Sequence, residues 1–415
     1  MIARLLVESL VHGGEGLAHH LGRVVFVSGA APGDLVEVEL SVGPGRYQHA
    51  RALRVVQPGP ARVEAPCPIV ERCGGCPLQH TSYPAQLLAK SALLRDALER
   101  IGGLRAHDLP SLPLIVPSPR TLRYRRRARL HRGPQGQWGF NQGGRVEPVA
   151  ECLLFEPALQ ELADRVRQEL AGAPEVLDLG LDTSDSGQGA VDLRTSGPPT
   201  PGLRRRAREL LERVGSLRGV TLGPLHAPEL LGEPVLADRA RPFRLRSRPD
   251  LFAQANRSAV PLLQAAVLAA LGEAPEVLEL FGGAGTLTLP LLSRGTRVTC
   301  VEQAGPSLAL LRKSADELGQ GKLLRLIAGD AARVELGPAP AAVLLDPPRT
   351  GAAALMPILA RLGAGRIVYV SCDAPTLGRD AKLLVASGYQ LLEAGALDLF
   401  PQTAHFEVVA TFVRR

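Results

Sequence analysis

The 415-residue chain predicts an α/β protein, built on a doubly wound parallel sheet and preceded by a small β-barrel and an α+β middle section. Three observations predict this. From about residue 250, short apolar runs alternate regularly with helical segments, as in parallel strands buried on both faces. Residues 1–57 hold only short strand-like runs separated by turn signals. Between them, four cysteines stand at positions 67, 73, 76 and 152. The length implies two or three domains. With 45% hydrophobic and 21% charged residues, the chain can bury real cores and does not belong to the disordered class.

In the first part, RVVFVSG and DLVEVELSV flank the turn signal APGD, and HARALRVVQ closes the set. This suits a small barrel of the oligonucleotide-binding kind, or a purely structural β-extension. PGPARVEAPCP reads as a linker, and AQLLAKSALLRDALERIGG as a helix stopped by Gly102 and Gly103. Residues 110–240 read only as mixed α+β. The formal charge is +7, and arginines cluster at 120–132, 203–218 and 239–248. A solvated arginine-rich surface explains any one cluster; all three together favour a polyanionic partner. No signal peptide and no membrane span are visible, so a cytoplasmic protein is expected.

In the last part, EVLELF, RVTCVE, LLRLIAGD, AAVLLDPP and RIVYVSC are the expected parallel strands. HFEVVATFV is an edge or antiparallel strand. EVLELF runs directly into Gly282-Gly283-Ala284-Gly285-Thr286, where glycines let a backbone approach a cofactor. Glu279 precedes the glycines. Glu302 closes the next strand, where a carboxylate can bind ribose hydroxyls. This arrangement resembles the class I S-adenosylmethionine fold. A nicotinamide site and an empty glycine turn stay open on this segment alone.

Asp346 and Cys372 each end a strand, and ligands of open parallel sheets bind beyond those ends. One chemistry uses such a set. A thiolate adding at carbon 6 of uracil makes carbon 5 nucleophilic, a base then removes the carbon-5 proton, and a carboxylate reads the N3–H edge. Cys372, Glu407 and Asp346 could fill these roles. Cys372 could equally be a buried small hydrophobe and Glu407 a surface charge. Asp346 could also serve an amino-group methyltransferase, which needs no cysteine.

Four segments carry a resemblance. Ser371–Asp380 resembles the motif SCNPxTLxRD of the RNA uridine-C5 methyltransferase family, and Asp346–Arg349 its DPPR. Asp398–Glu407 resembles its terminal D-x-FPxTxHxE, and Phe252–Asn256 its FxQxN segment. The resemblance implies that Cys372 is the nucleophile, Glu407 the general base and Asp346 a contact to a flipped uracil. It also implies that Gln254, Glu279, Phe281, Gly283, Gly285, Glu302 and Asp346 hold S-adenosylmethionine. Two positions depart from the pattern. Asp373 replaces the usual Asn, adding a charge expected to raise the thiol pKa, and Gly282 replaces a frequent Cys. The DPP segment lacks the second cysteine of cytidine-C5 enzymes.

Cys67, Cys73, Cys76 and Cys152 suit tetrahedral zinc or a [4Fe–4S] cluster, or are simply reduced thiols. The C-x5-C-x2-C…C spacing resembles the iron–sulfur branch of the same family, which implies the cluster, with zinc as the alternative. Residues 1–57 resemble the TRAM module through Gly13–Gly16, Val24–Val27 and Pro32–Asp34. The expected organisation is a TRAM/OB-like RNA-binding barrel at 1–57, a central iron–sulfur domain at 58–240 and a class I methyltransferase domain at 241–415. The expected partner is RNA, 23S ribosomal RNA ahead of transfer RNA, with no membrane and no protein partner; the chain is expected to be a monomer.

Overall fold

A computed structural model describes residues 1–41, 45–105, 109–337 and 339–415. Residues 2–57 form a six-stranded sheet. Its strands alternate buried and exposed, as in Ile2–Leu6 and Leu35–Glu39. A closed apolar core of Leu5, Val25, Val27, Val36 and Val38 results. The proline-rich segment that follows is not a free linker. Arg62 donates to Asp34 and to the Gly29 carbonyl. A Cβ at Gly59 would lie 2.4 Å from the Gly33 backbone, so only glycine permits this crossing.

The middle section is a seven-stranded mixed sheet. Its order is Glu229–Gly232, Leu217–Gly223, Gly189–Arg194, Asp178–Thr183, Arg127–Arg132, Trp138–Gln142, Arg145–Pro148. One parallel pair, Gly189–Arg194 with Leu217–Gly223, is joined by the helix Pro201–Arg213. That helix and Pro157–Glu169 contribute Leu159, Leu162, Leu203 and Leu210 to its core. A hairpin, Leu236–Ala240 with Phe243–Ser247, follows. It reaches the last section through Arg246, which donates to Ser314 and Glu317.

The last section has the strand order Leu324–Ala328, Arg297–Glu302, Glu276–Leu280, Ala342–Leu345, Arg366–Ser371, Glu407–Arg414, Tyr389–Leu397. The first five are parallel, and Glu407–Arg414 is antiparallel to Arg366–Ser371. The terminal strand is thus interior; Tyr389–Leu397 takes the edge. The direction of winding reverses between Glu276–Leu280 and Ala342–Leu345, which places a ligand crevice at their carboxyl ends. Among the described residues, no helix is long and apolar enough to cross a membrane.

Three arginines of the segment 120–132 face inward rather than toward a polyanionic partner. Arg126 is 4% exposed and is held by Asp182, Asp238 and Ser247. Arg127 donates to the carbonyls of Pro249, Leu251 and Ala253, and Arg129 pairs with Asp192. These guanidiniums satisfy buried acceptors between the middle sheet and the 249–257 loop, because a buried charge is tolerated only when paired.

Candidate active site and cysteine site

Sheet register brings Cys372, Glu407 and Asp346 together. Ser371 pairs with Val408 across antiparallel strands, so the next residues outward, Cys372 and Glu407, are neighbours. Leu345 pairs with Tyr369 in parallel register, and Asp346, one residue beyond, donates its N–H to the Leu280 carbonyl at 3.4 Å. Asp346 therefore stands between the cofactor loop and the cysteine. The three side chains meet in one crevice.

Their electrostatics show the crowding. Burial, then the charge of Asp346, pushes the Glu407 carboxyl well above its ordinary value, against the nearby Arg349. Burial raises Asp346 to about 7. Burial first, then the charges of Glu407 and Asp346, raises the Cys372 thiol to about 11, with Arg349 opposing them. The resting site thus favours the protonated thiol at Cys372. The charge expected from Asp373 is not the one that governs the thiol. Asp373 caps the helix Ala374–Ala386 by accepting from the Thr376 N–H at 2.9 Å. Its other oxygen lies 3.5 Å from His12 Nε2 of the barrel.

The cofactor loop bends through left-handed backbone at Phe281 (φ 63°), Gly283 (φ 56°) and Gly285 (φ 95°). The Glu302 carboxylate accepts from the Gly283 N–H at 3.0 Å and the Ala304 N–H at 2.7 Å, spanning the loop and the next helix start. Gln254 is nearly buried and lines a cavity of about 140 Å³ with Thr286 and Gln264. Glu279 differs from the other expected cofactor contacts. It is 2% exposed, accepts from Thr288 Oγ1 at 2.6 Å, and is raised to about 8 by burial. It braces the loop from beneath.

Several residues that sequence reasoning did not single out hold this site. Asp380, fully buried, accepts from Tyr369 Oη and the Ala352 N–H, and Arg379 donates to the Thr350 carbonyl. The Arg-Asp pair of the nucleophile motif thus anchors the loop after Arg349. Lys90, on the helix Tyr83–Asp96, makes a fully buried ion pair with Asp398 at 2.7 Å. Gln402, in left-handed backbone at φ 70°, is gripped on three sides. Gln86 donates to its side chain and accepts its N–H, and the Leu78 N–H donates to its carbonyl. The quoted motifs contain Arg349, Arg379 and Asp380; nothing in the sequence pairs Lys90 or Gln86 with the terminal motif.

All four cysteines of the cluster set line one cavity of about 240 Å³, with Arg125 among its walls. Burial pushes Cys76 up to about 12 and also raises Cys73 and Cys152, with neighbouring cysteines adding to each. Thiolates gathered around one cavity need a cationic group beside them, and four cysteines lining the same cavity are a donor set that fits such a group. Among the described residues, no three His, Cys, Asp or Glu side chains converge as ligands of a single ion do.

Residues 2–53 match the TRAM domain, and residues 238–374 match a family described as Conserved hypothetical protein 95. Over 98% of its length the chain is 34% identical to the 23S rRNA (uracil(1939)-C(5))-methyltransferase RlmD of Pectobacterium atrosepticum, covering 92% of that protein. It is 36% identical over 99% of its length to the same enzyme of Pseudomonas entomophila, covering 93% of it. In fold it is similar to the tRNA (uracil-54, C5)-methyltransferase of Pyrococcus abyssi, solved with S-adenosyl-L-homocysteine. There the TM-score is 0.76 at 24% identity over 99% of each chain.

Proposed function

Because the chain belongs to the RNA uracil-C5 methyltransferase family, we propose that it methylates carbon 5 of a uridine in 23S ribosomal RNA through a covalent adduct of Cys372. The observation that carries the mechanism is the register of the last three central strands, which brings Cys372, Glu407 and Asp346 to one crevice beside the glycine loop. Bound S-adenosylmethionine supplies an electrophilic methyl group. Cys372 adds to carbon 6 of the uracil, and Asp346 accepts the N3–H and holds the ring. After transfer, Glu407 takes the carbon-5 proton, and the Cys372–C6 bond breaks to release 5-methyluridine. A uridine reaches such a crevice only when swung out of its stack. Gln254, Glu302 and the Phe281–Gly285 loop would hold the cofactor.

In the same reading Cys67, Cys73, Cys76 and Cys152 hold a [4Fe–4S] cluster, supported by their shared cavity. Methyl transfer needs no electron, so the cluster would be structural. Iron and acid-labile sulfide in the purified chain are expected; zinc alone would contradict this part.

The test maps 5-methyluridine in ribosomal and transfer RNA from cells with and without the gene, complemented by wild-type or Cys372→Ala protein. Loss from 23S RNA, restored only by wild type, is expected. Full turnover by Cys372→Ala would overturn the covalent mechanism in favour of amino-group chemistry. Loss from transfer RNA alone would overturn the substrate, and no loss from either would mark a non-catalytic RNA-binding protein.

A further inference from the structure

A second cleft, of about 680 Å³, separates the N-terminal barrel from the catalytic section. His12, His19, Phe26 and His49 line its barrel side, Leu93 and Ala97 the opposite helix, and Ala374 and Pro375 its inner end. The reaction derived above uses none of them.

The barrel side is an aromatic platform. The Phe26 and His49 rings lie 5.1 Å apart, and Tyr47, 64% exposed, stands 6.0 Å from Phe26. Two of the imidazoles are fixed by carboxylates: Glu8 holds His19 Nδ1 at 2.8 Å, and Glu15 holds His49 Nδ1 at 3.0 Å. An ionised carboxylate only accepts, so Nδ1 carries the hydrogen and Nε2 keeps a lone pair in the neutral ring. Each ring thus offers an oriented face for stacking and an acceptor edge. That is the chemistry that binds unstacked nucleobases. It does not suit phosphate: Glu15 and Asp96 line the cleft, and the nearby Arg100 is taken by Asp96.

The cleft also joins the catalytic crevice. Ala374 and Pro375 directly follow Cys372 and Asp373. His12 reaches Asp373 and stands edge-on to His405 at 6.4 Å, within the terminal catalytic motif. A strand that delivers its uridine to Cys372 therefore has its neighbouring nucleotides beside this opening.

We propose that the cleft is a second base-binding site, which takes an unpaired nucleobase of the same RNA, near the target uridine, stacked on Phe26 and His49. The inference rests on RNA being the substrate, as proposed above. The probe is a 23S ribosomal RNA fragment that wild-type protein methylates, with photoreactive 4-thiouridine placed at successive unpaired positions outside the target. One such position is expected to cross-link to the peptides holding Phe26 or His49. Phe26→Ala with His49→Ala should raise the KM for the fragment about tenfold, as loss of one stacked base does, with kcat little changed and the cross-link lost. Phe26→Trp with His49→Phe, which restores flat rings, should return KM to near wild type. An unchanged KM in the alanine pair, cross-links confined to other surfaces, or a ring-restoring pair as impaired as the alanine pair would each overturn the proposal. Failure of wild-type protein to methylate any RNA would instead overturn the functional reading beneath it.

Discussion

The crevice should suppress the nucleophile until substrate arrives, and thiol alkylation measures this directly. Burial and the acids Glu407 and Asp346 move the Cys372 thiol from 9.0 to about 11. At pH 8 a thiol titrating near 11 is ionised to about one part in a thousand, against about one in ten at 9, and only the thiolate reacts. Iodoacetamide should therefore modify Cys372 about a hundredfold more slowly than an unperturbed cysteine. Glu407 is the charge that raises the thiol most, so Glu407→Gln should move the inflection of the rate–pH curve downward. Arg349 favours the thiolate, so Arg349→Met should move it upward. The assay follows the Cys372 peptide by mass spectrometry from about pH 7 to 11.5, which separates it from the four cysteines of the other cavity. A wild-type inflection at or below 9, or an inflection in Glu407→Gln that does not fall, would refute the reasoning. The opposite signs of the two variants guard against a general loosening of the site.

Lys90→Met leaves Asp398 fully buried without its cation, which should cost about 3–5 kcal/mol; Asp398→Leu added to it should recover most of the loss. Urea midpoints measure both, and a cost under about 1 kcal/mol would contradict the pair's importance. Glu279 titrates near 4.5 when unfolded and about 8 when folded. The folded chain thus binds the extra proton between these values, and its contribution is full below about 4.5 and lost as pH rises through about 8. Glu279→Gln should therefore gain stability relative to wild type from pH 5 to 9, by at most about 5 kcal/mol, read by pulse proteolysis; a constant difference would refute it. A Cβ at Gly282 would fall 2.3 Å from the buried Cys300 sulfur. Gly282→Ala should cost about 1–3 kcal/mol and weaken S-adenosylmethionine binding by calorimetry, and Cys300→Ala beside it should restore both.

The parallel sheet was legible because its central strands are buried on both faces and read as apolar runs. Val277 to Leu280 and Val343 to Leu345 are almost wholly inaccessible. That Asp346 and Cys372 lie at neighbouring strand ends was legible for a related reason: strand ends at a winding reversal are where ligands bind, whatever the residues. The middle sheet was not legible. Its strand Arg127–Arg132 carries arginines at alternating positions, and in sequence these cannot be told from a solvated or phosphate-binding face. Only distant acceptors, Asp182 for the adjoining Arg126 and Asp192 for Arg129, some sixty residues away, show that these charges serve the fold. Glu279 has a partner that the sequence does not show. An acid before a glycine loop suggests a ligand contact, and only Thr288, on the helix behind, reveals a brace.

The position of Glu407 is set from outside its own section. The segment before it passes through Asp398, which is held by Lys90, and through left-handed Gln402, which is held by Gln86 and the Leu78 backbone. Leu78 is two residues from Cys76, so one backbone hydrogen bond ties the wall of the cysteine cavity to the segment that leads to Glu407. A non-glycine residue in left-handed backbone persists only where its surroundings over-determine it, and here they lie more than 300 residues earlier in the chain. From the other side, His12 of the barrel meets Asp373 beside the nucleophile. Each end of the proposed chemistry, Cys372 and Glu407, is therefore reached from a different accessory section. The proposed covalent chemistry needs only the last sheet, but the geometry that would aim it depends on all three.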